Sequence, residues 1–291
     1  MKRIESILVA IERNGSSREV VGKAVVLARR LGARLELFLG NAESAYVQHH
    51  QYDSGALASA RAECLATSQA YLEELWRSLD VHDLQPAMDA GCESPGYVGI
   101  IHKVQRSSPT LVIRAMAEGA HGSRALPAGD WDLVRTCPVP LMLMRGKPWN
   151  VRPPVAAAID ISGDETPGFT RAILRAAKRL ASGCDGTLDL IYAHRPEQAI
   201  PGAIESDRAA LEARAREADV GASQLFVLEG EPAVAIPRFA AKRPYDLLVL
   251  GALTHRKTVT ALVGTLTGQL IETLDSDILL VKPPAYRSPV R

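Results

Sequence analysis

The residues with the clearest chemical potential lie in one stretch, from Gly251 through Thr254, His255, Arg256, Lys257 and Gly264 to Thr267. An apolar run, Asp246 to Leu250, precedes it, and a helical pattern, Gln269 to Leu274, follows it. The order is therefore a strand closed by glycine, a basic loop, and a helix opened by Gly264-Thr265. A helix start carries unpaired N–H groups and the positive end of the macrodipole. Glycine lets an anion come close to that backbone. Residues of these types in this order suit a phosphorylated ligand. The competing reading is a plain strand–loop–helix unit that happens to carry two glycines.

The elements that must position this stretch occur twice. Ile7–Ile11 is a short apolar strand pattern, and Val155–Ile159 echoes it. Each is followed by a polar turn and an amphipathic helical pattern. In the first copy Ser16 and Glu19 have capping-box spacing ahead of Val20, Val21, Ala24, Leu27, Ala28 and Leu31. In the second, Asp164 to Pro167 precede Ile173, Ala176, Ala177 and Leu180. Second strands are predicted at Leu35–Leu39 and Leu188–Tyr192, third strands near 84–89 and 223–228. Fourth strands are predicted at Leu111–Ile113 and Leu247–Leu250, fifth strands at Leu141–Met144 and Ile278–Val281. Short apolar runs without alternation suit parallel strands buried on both faces. Their alternation with helices predicts an α/β fold with a parallel sheet in each half. The proline-rich segment Gly146–Pro154 marks the divide. Domains are expected at 1–146 and 153–285.

The spacing around Gly251 resembles the nucleotide-binding motif of the universal stress protein family. That motif is a glycine, two residues, a glycine, nine residues, a glycine, then serine or threonine. The corresponding positions here are Gly251, Thr254, Gly264 and Thr265, so the second glycine is replaced. If that position needs a positive φ, a β-branched threonine fits it badly. A second group of residues, Asp130-Trp131, Cys137-Pro138, Lys147-Pro148-Trp149 and the strand ending at Pro284, is similar to the tandem-domain branch of the family.

The resemblance implies two tandem Rossmann-like domains, each with five parallel strands in the order 3-2-1-4-5, packed as a pseudo-dimer. A further homodimer is left open. It implies a crevice between strands 1 and 4 of the second half. There Asp160 is the acidic residue after strand 1, and Ala193 is the small residue flanking an adenine. Leu250 and Gly251 present backbone to a sugar. Thr254 and Arg256 lie in the loop, and Gly264, Thr265, Leu266 and Thr267 form the phosphate-binding helix start. The implied ligand is ATP or a related nucleotide, with magnesium as an option, although one carboxylate does not make a magnesium site. Asp160 is equally a common turn residue after a strand.

The first half lacks this set. Strand 1 ends in Ile11-Glu12, Gly122-Ser123 arrives too early after strand 4, and Glu118 and Asp130 would repel phosphate if they faced the crevice. It reads as a degenerate copy of the motif.

Composition narrows the function classes. The chain has 291 residues, 47% hydrophobic and 23% charged, with a formal net charge of +1. That balance implies no bulk attraction to nucleic acid or a membrane surface. No apolar run approaches the roughly 20 residues that cross a bilayer. The N-terminus reads as a strand rather than a signal peptide, so a cytoplasmic protein is expected. The four cysteines include no C-x-x-C pair, and reduced thiols are expected. There is no H-E-x-x-H and no Walker lysine after a glycine loop. The leading expectation is a stress-response protein that binds nucleotide in its C-terminal domain and regulates unidentified protein partners, with slow ATP hydrolysis at most. The alternatives are an interaction module that has lost nucleotide binding or takes another small molecule, and an enzyme of a related α/β superfamily. The latter needs signatures such as H-I-G-H, which the chain does not contain.

Overall fold

The computed structural model describes residues 3–13, 16–40, 54–116, 125–161, 168–194, 202–252 and 265–290. The chain divides into two compact units, one built on Ile4–Ala117 with Leu126–Lys147, the other on Pro148–Arg287. The first unit runs β1 (Ser6–Ile11), α1 (Ser17–Leu31), β2 (Arg34–Gly40), α2 (Ser54–Arg77), β3 (Ala87–Gly91), α3 (Gly96–Ser107), β4 (Leu111–Ala115), α4 (Ala128–Thr136) and β5 (Leu141–Met144). The second runs β6 (Pro154–Ala158), α5 (Phe169–Gly183), β7 (Thr187–His194), α6 (Ala203–Glu217), β8 (Gln224–Glu229), α7 (Pro232–Lys242), β9 (Leu247–Gly251), α8 (Thr265–Thr273) and β10 (Asp277–Val281). Each unit has the same strand order, β3-β2-β1-β4-β5 and β8-β7-β6-β9-β10, with all these neighbours parallel. This is the expected 3-2-1-4-5 order.

The central strands are apolar along their length because helices cover both faces. Leu8, Val9 and Ala10 of β1, and Val155, Ala156 and Ala157 of β6, are all buried. Helix α1 buries Val20, Val21, Ala24, Leu27 and Ala28, and α5 buries Ile173, Ala176, Ala177 and Leu180, which are the residues the 3.6-residue period selects. Gly32 ends α1 at φ 60°, where its N–H reaches the carbonyls of Ala28 and Arg29.

Three sequence expectations need correction. Ser16 stands at the N-cap of α1 with φ −90° and ψ −2°, and its side chain makes no cap bond. Side-chain capping needs an extended backbone at that position, so the capping box does not form. The Ser17 hydroxyl instead donates to the Glu12 carbonyl. Strand β3 starts at Ala87 rather than 84, because Pro86 has no N–H to give to a ladder. Pro154, expected in the divide, is the first residue of β6, a position that a proline tolerates.

The divide itself is tied down within the second unit. Trp149 Nε1 donates to the buried Asp277 Oδ2 at 2.7 Å, and Asn150 N donates to Asp246 Oδ2 at 2.8 Å. Both acids precede or open a strand, so they fix the incoming chain at the amino ends of β9 and β10.

The registers make the two units comparable residue by residue. Ile7 pairs with Leu111, and Val155 pairs with Leu247. Counting on from these pairs, Glu12 corresponds to Asp160, Arg114 to Leu250, and Ala115 to Gly251. Likewise Ile7 pairs with Leu35 and Val155 with Leu188, so Glu36 corresponds to Asp189. Both of these acids on the second strand take a cation from the region of the helix after strand 3. Lys103 bonds Glu36 and, at 2.9 Å, Asp89. Arg243 Nη2 lies 2.9 Å from Asp189, and the Tyr245 hydroxyl donates to the same oxygen at 2.9 Å. Burial lowers the Lys103 pKa, but the bonds from Glu36 and Asp89 more than reverse this and hold it above its ordinary value.

Candidate functional site

Strand order reverses between β1 and β4 in the first unit and between β6 and β9 in the second. At such a switch point the connections leave in opposite directions, opening a crevice at the carboxyl ends of the strands. In the second unit Ala157 pairs with Val249, so Asp160 and Gly251 leave from the same edge of adjacent strands. Asp160 is half-buried, Leu250 is buried, and Ala193 is buried at the end of the neighbouring β7. Thr265, Leu266 and Thr267 form the first turn of α8, exposed, half-buried and buried in that order. The structure thus gathers these seven residues at one end of the sheet. Thr254, Arg256 and Gly264 lie outside the described residues.

Two of the seven also have structural tasks. A Cβ on Gly251 would lie 2.8 Å from Phe169 Cζ, so the opening residue of α5 requires glycine there. The Thr267 hydroxyl donates to the Gly251 carbonyl at 3.0 Å. That bond fixes the start of α8 onto the end of β9. It also orients the first turn that would meet an anion.

His194 was not singled out from the sequence. It closes β7 next to Ala193 and is buried, with Nδ1 2.5 Å from Asp207 Oδ2 on α6. Among the described residues its buried Nε2 has no partner.

The crevice of the first unit has a different filling. Arg114, where the second unit has Leu250, points its Nε at Asp130 Oδ1 at 2.8 Å and its Nη2 at the Glu12 carboxylate. Arg114 and Asp130 side chains are 7% and 5% exposed. Helices α4 and α8 both have nine residues, and Asp130 is third in one as Thr267 is third in the other. The sequence reading had Asp130 repelling phosphate if it faced the crevice. In the structure Asp130 is paired with Arg114. Glu118 lies outside the described residues. Sequence reasoning missed Arg114, although its signal was present as a lone cation in an apolar strand, Leu111-Val-Ile-Arg-Ala115. A buried cation needs a paired anion, and Glu12 after β1 and Asp130 on α4 supply two.

By position, Ser17 and Ala115 of the first unit correspond to Phe169 and Gly251 of the second, where the glycine leaves room for the ring. Ser17 and Phe169 each open the first helix of their unit and each is buried. Where the helix residue is large, the strand residue is glycine.

Among the described residues no group of three or more histidine, cysteine or acidic side chains is arranged to hold a metal ion. Nor is any helix among them long and apolar enough to cross a membrane.

Residues 155–282 match the model of the universal stress protein family. Over its full length the chain is similar to Universal stress protein E of Salmonella typhi, with 22% identity covering 100% of this chain and 98% of that one. Among solved structures, a functionally unknown protein from Pseudomonas aeruginosa PAO1 superposes with a TM-score of 0.72 at 24% identity, covering 96% of this chain and 93% of that chain. A universal stress protein from Archaeoglobus fulgidus DSM 4304 gives 0.65 at 13% identity, covering 97% and 99%. At these identities the superpositions establish the fold.

Proposed function

We propose, from the universal stress protein domain that residues 155–282 form, that the chain binds ATP or a related nucleotide at the carboxyl ends of β6 and β9. Binding there is regulatory rather than catalytic, and the protein acts in the cytoplasm on protein partners. The observation that carries this reading is the contrast between the two crevices. The first is closed by the Glu12–Arg114–Asp130 cluster, and the second has Leu250 and Thr267 where the cation and its buried anion would stand. On this reading Asp160 accepts hydrogen bonds from a ribose hydroxyl or a base amino group in the second crevice. Thr265 and Thr267 open α8, where N–H groups and dipole favour phosphate.

Gly264 is the residue on which phosphate approach depends in this reading. Calorimetric titration of ATP should give one site per chain in the wild-type protein and none in Gly264→Val. Equal binding by both would remove the site from α8.

A second reading is favoured by Gly251. Phe169 packing accounts for its missing side chain without a ligand, and Thr254 stands where the family motif has glycine. On that reading the domain is an interaction module, and neither protein gives binding heat with ATP.

A further inference from the structure

The third strands of the two units, β3 and β8, each have one strand neighbour among the described residues, β2 and β7. The free side of such a strand presents N–H and C=O groups that another strand can pair. β3 is guarded. It has five residues, Pro86 stands just before it, and Asp89 within it holds Lys103 at 2.9 Å. Shortness, proline and charge all deter edge pairing. β8 has none of these between its ends. Its sequence is Gln224-Leu-Phe-Val-Leu-Glu229, and its four apolar residues are half-buried, whereas their partners on β7, Leu190 to Ala193, are buried. The apolar strip continues onto the two helices that pack on β8. Ile204 in the first turn of α6 is 38% exposed, and Val234 in the first turn of α7 is 65% exposed. Charge is divided along the same edge. Glu229 ends β8 and Glu231 precedes α7, and both are exposed. At the other end stand exposed Lys242, the last residue of α7, and Arg243, whose guanidinium lies 5.1 Å over the Phe226 ring. Arg243 bonds Asp189, which pairs with Gln224, so it marks the amino end of β8. An edge that is acidic at one end, basic at the other and apolar between is complementary to its own reverse.

We propose that the β8 edge pairs antiparallel with the β8 edge of a second copy of this chain about a two-fold axis. An axis perpendicular to the sheet sets each residue opposite one from the same face of the sheet. Centred on Phe226, it places Leu225 against Val227 of the second copy and Ser223 against Glu229. Each acidic end then lies beside the other copy's Lys242 and Arg243. Centred on Val227, it would press Leu225 against a carboxylate, Glu229, so the Phe226 register is the one assigned. Parallel pairing would set acid against acid and base against base. Two reversed edges instead satisfy the free N–H and C=O groups of both strands and cover both apolar strips.

Sedimentation equilibrium on the full chain tests this. A reversible monomer–dimer equilibrium is expected, and a monomer at every concentration would overturn the proposal. Val227→Lys gives β8 the kind of charge that keeps edge strands unpaired. It should weaken dimerisation at least about tenfold, with an unchanged circular dichroism spectrum. Two surface variants read the same contact without touching the strand. Glu231→Lys should weaken the dimer, and Glu231→Lys/Lys242→Glu, which reverses both ends, should restore it. Unchanged dimerisation in Val227→Lys and in Glu231→Lys would mean that the copies meet elsewhere and would overturn the proposal. A cross-link reads the register. In a Cys64→Ser/Cys92→Ser chain, Phe226→Cys should oxidise to a disulfide joining position 226 of two chains, since facing residues of an antiparallel pair lie about 5 Å apart. A dimer that fails to form this bond would overturn the assigned register. None of these outcomes depends on nucleotide binding.

Discussion

The two crevices of this chain are built on the same strand order and the same register, and they differ in what fills three matched positions. In the first unit Glu12, Arg114 and Asp130 form a charge cluster in which Arg114 and Asp130 are buried and Glu12 is partly exposed. In the second the matched residues are Asp160, Leu250 and Thr267, and only the acid at the end of strand 1 remains charged. Two units can therefore share a frame while one of them fills the carboxyl edge of its sheet with an internal charge cluster. The charges in the first unit satisfy one another, so an incoming phosphate would find Arg114 already engaged. The second unit satisfies the same region with a threonine hydroxyl on the Gly251 carbonyl, and on the proposed reading the opening turn of α8 then meets the phosphate.

Breaking the first crevice should have the largest effect. Arg114→Leu leaves Asp130 buried without its cation and should cost about 3–5 kcal/mol in urea denaturation. The double variant Arg114→Leu/Asp130→Thr, which gives the first unit the second unit's residues, should recover most of that loss. Removing a whole buried pair is much cheaper than stranding one member. Equal losses in the single and double variants would mean that the cluster is not what organises this edge.

The fold was legible because its signal is carried by many residues at once. The apolar runs at 7–11, 35–39, 247–250 and 278–281, and the helical period in α1 and α5, each repeat one message. The places that resisted reading depend on single atoms. Pro86 moved the start of β3 because one N–H is missing. The capping box at Ser16 failed because one residue is helical rather than extended. At the candidate site, the acid, the glycine and the threonines could be named from spacing. Their structural tasks could not, because Phe169 reaches Gly251 across the fold and only coordinates reveal that contact. Arg114 with Asp130 stayed hidden for the same reason, since only coordinates show a strand residue meeting a side chain on the helix that follows it.

Gly251→Ala sharpens the comparison next. The new methyl would meet Phe169 at less than van der Waals distance, and such overpacking typically costs about 1–3 kcal/mol. The loss should shrink in a Phe169→Leu background, and a double-mutant cycle measures the coupling directly. In the first unit the reverse change, Ala115→Gly, should cost only about 0.5–1 kcal/mol, from backbone freedom in the unfolded chain.

A smaller effect is expected at Thr267. Thr267→Val keeps the shape and removes the hydroxyl that reaches the Gly251 carbonyl, which should cost about 0.5–1.5 kcal/mol by thermal or urea unfolding. Thr267→Ser should stay near the wild type. If valine is neutral, the hydroxyl does not hold α8 in place.

The asymmetry itself is tested most directly by transplanting the first crevice into the second. ATP is titrated into the wild type and into Leu250→Arg/Thr267→Asp, with Arg114→Leu/Asp130→Thr as the reciprocal control and circular dichroism to confirm that each is folded. The account predicts one site per chain in the wild type and in the control. In the transplanted protein affinity should fall at least about a hundredfold, or about 2.7 kcal/mol. Unchanged ATP binding by a folded Leu250→Arg/Thr267→Asp protein would contradict the claim that the second crevice is the nucleotide site.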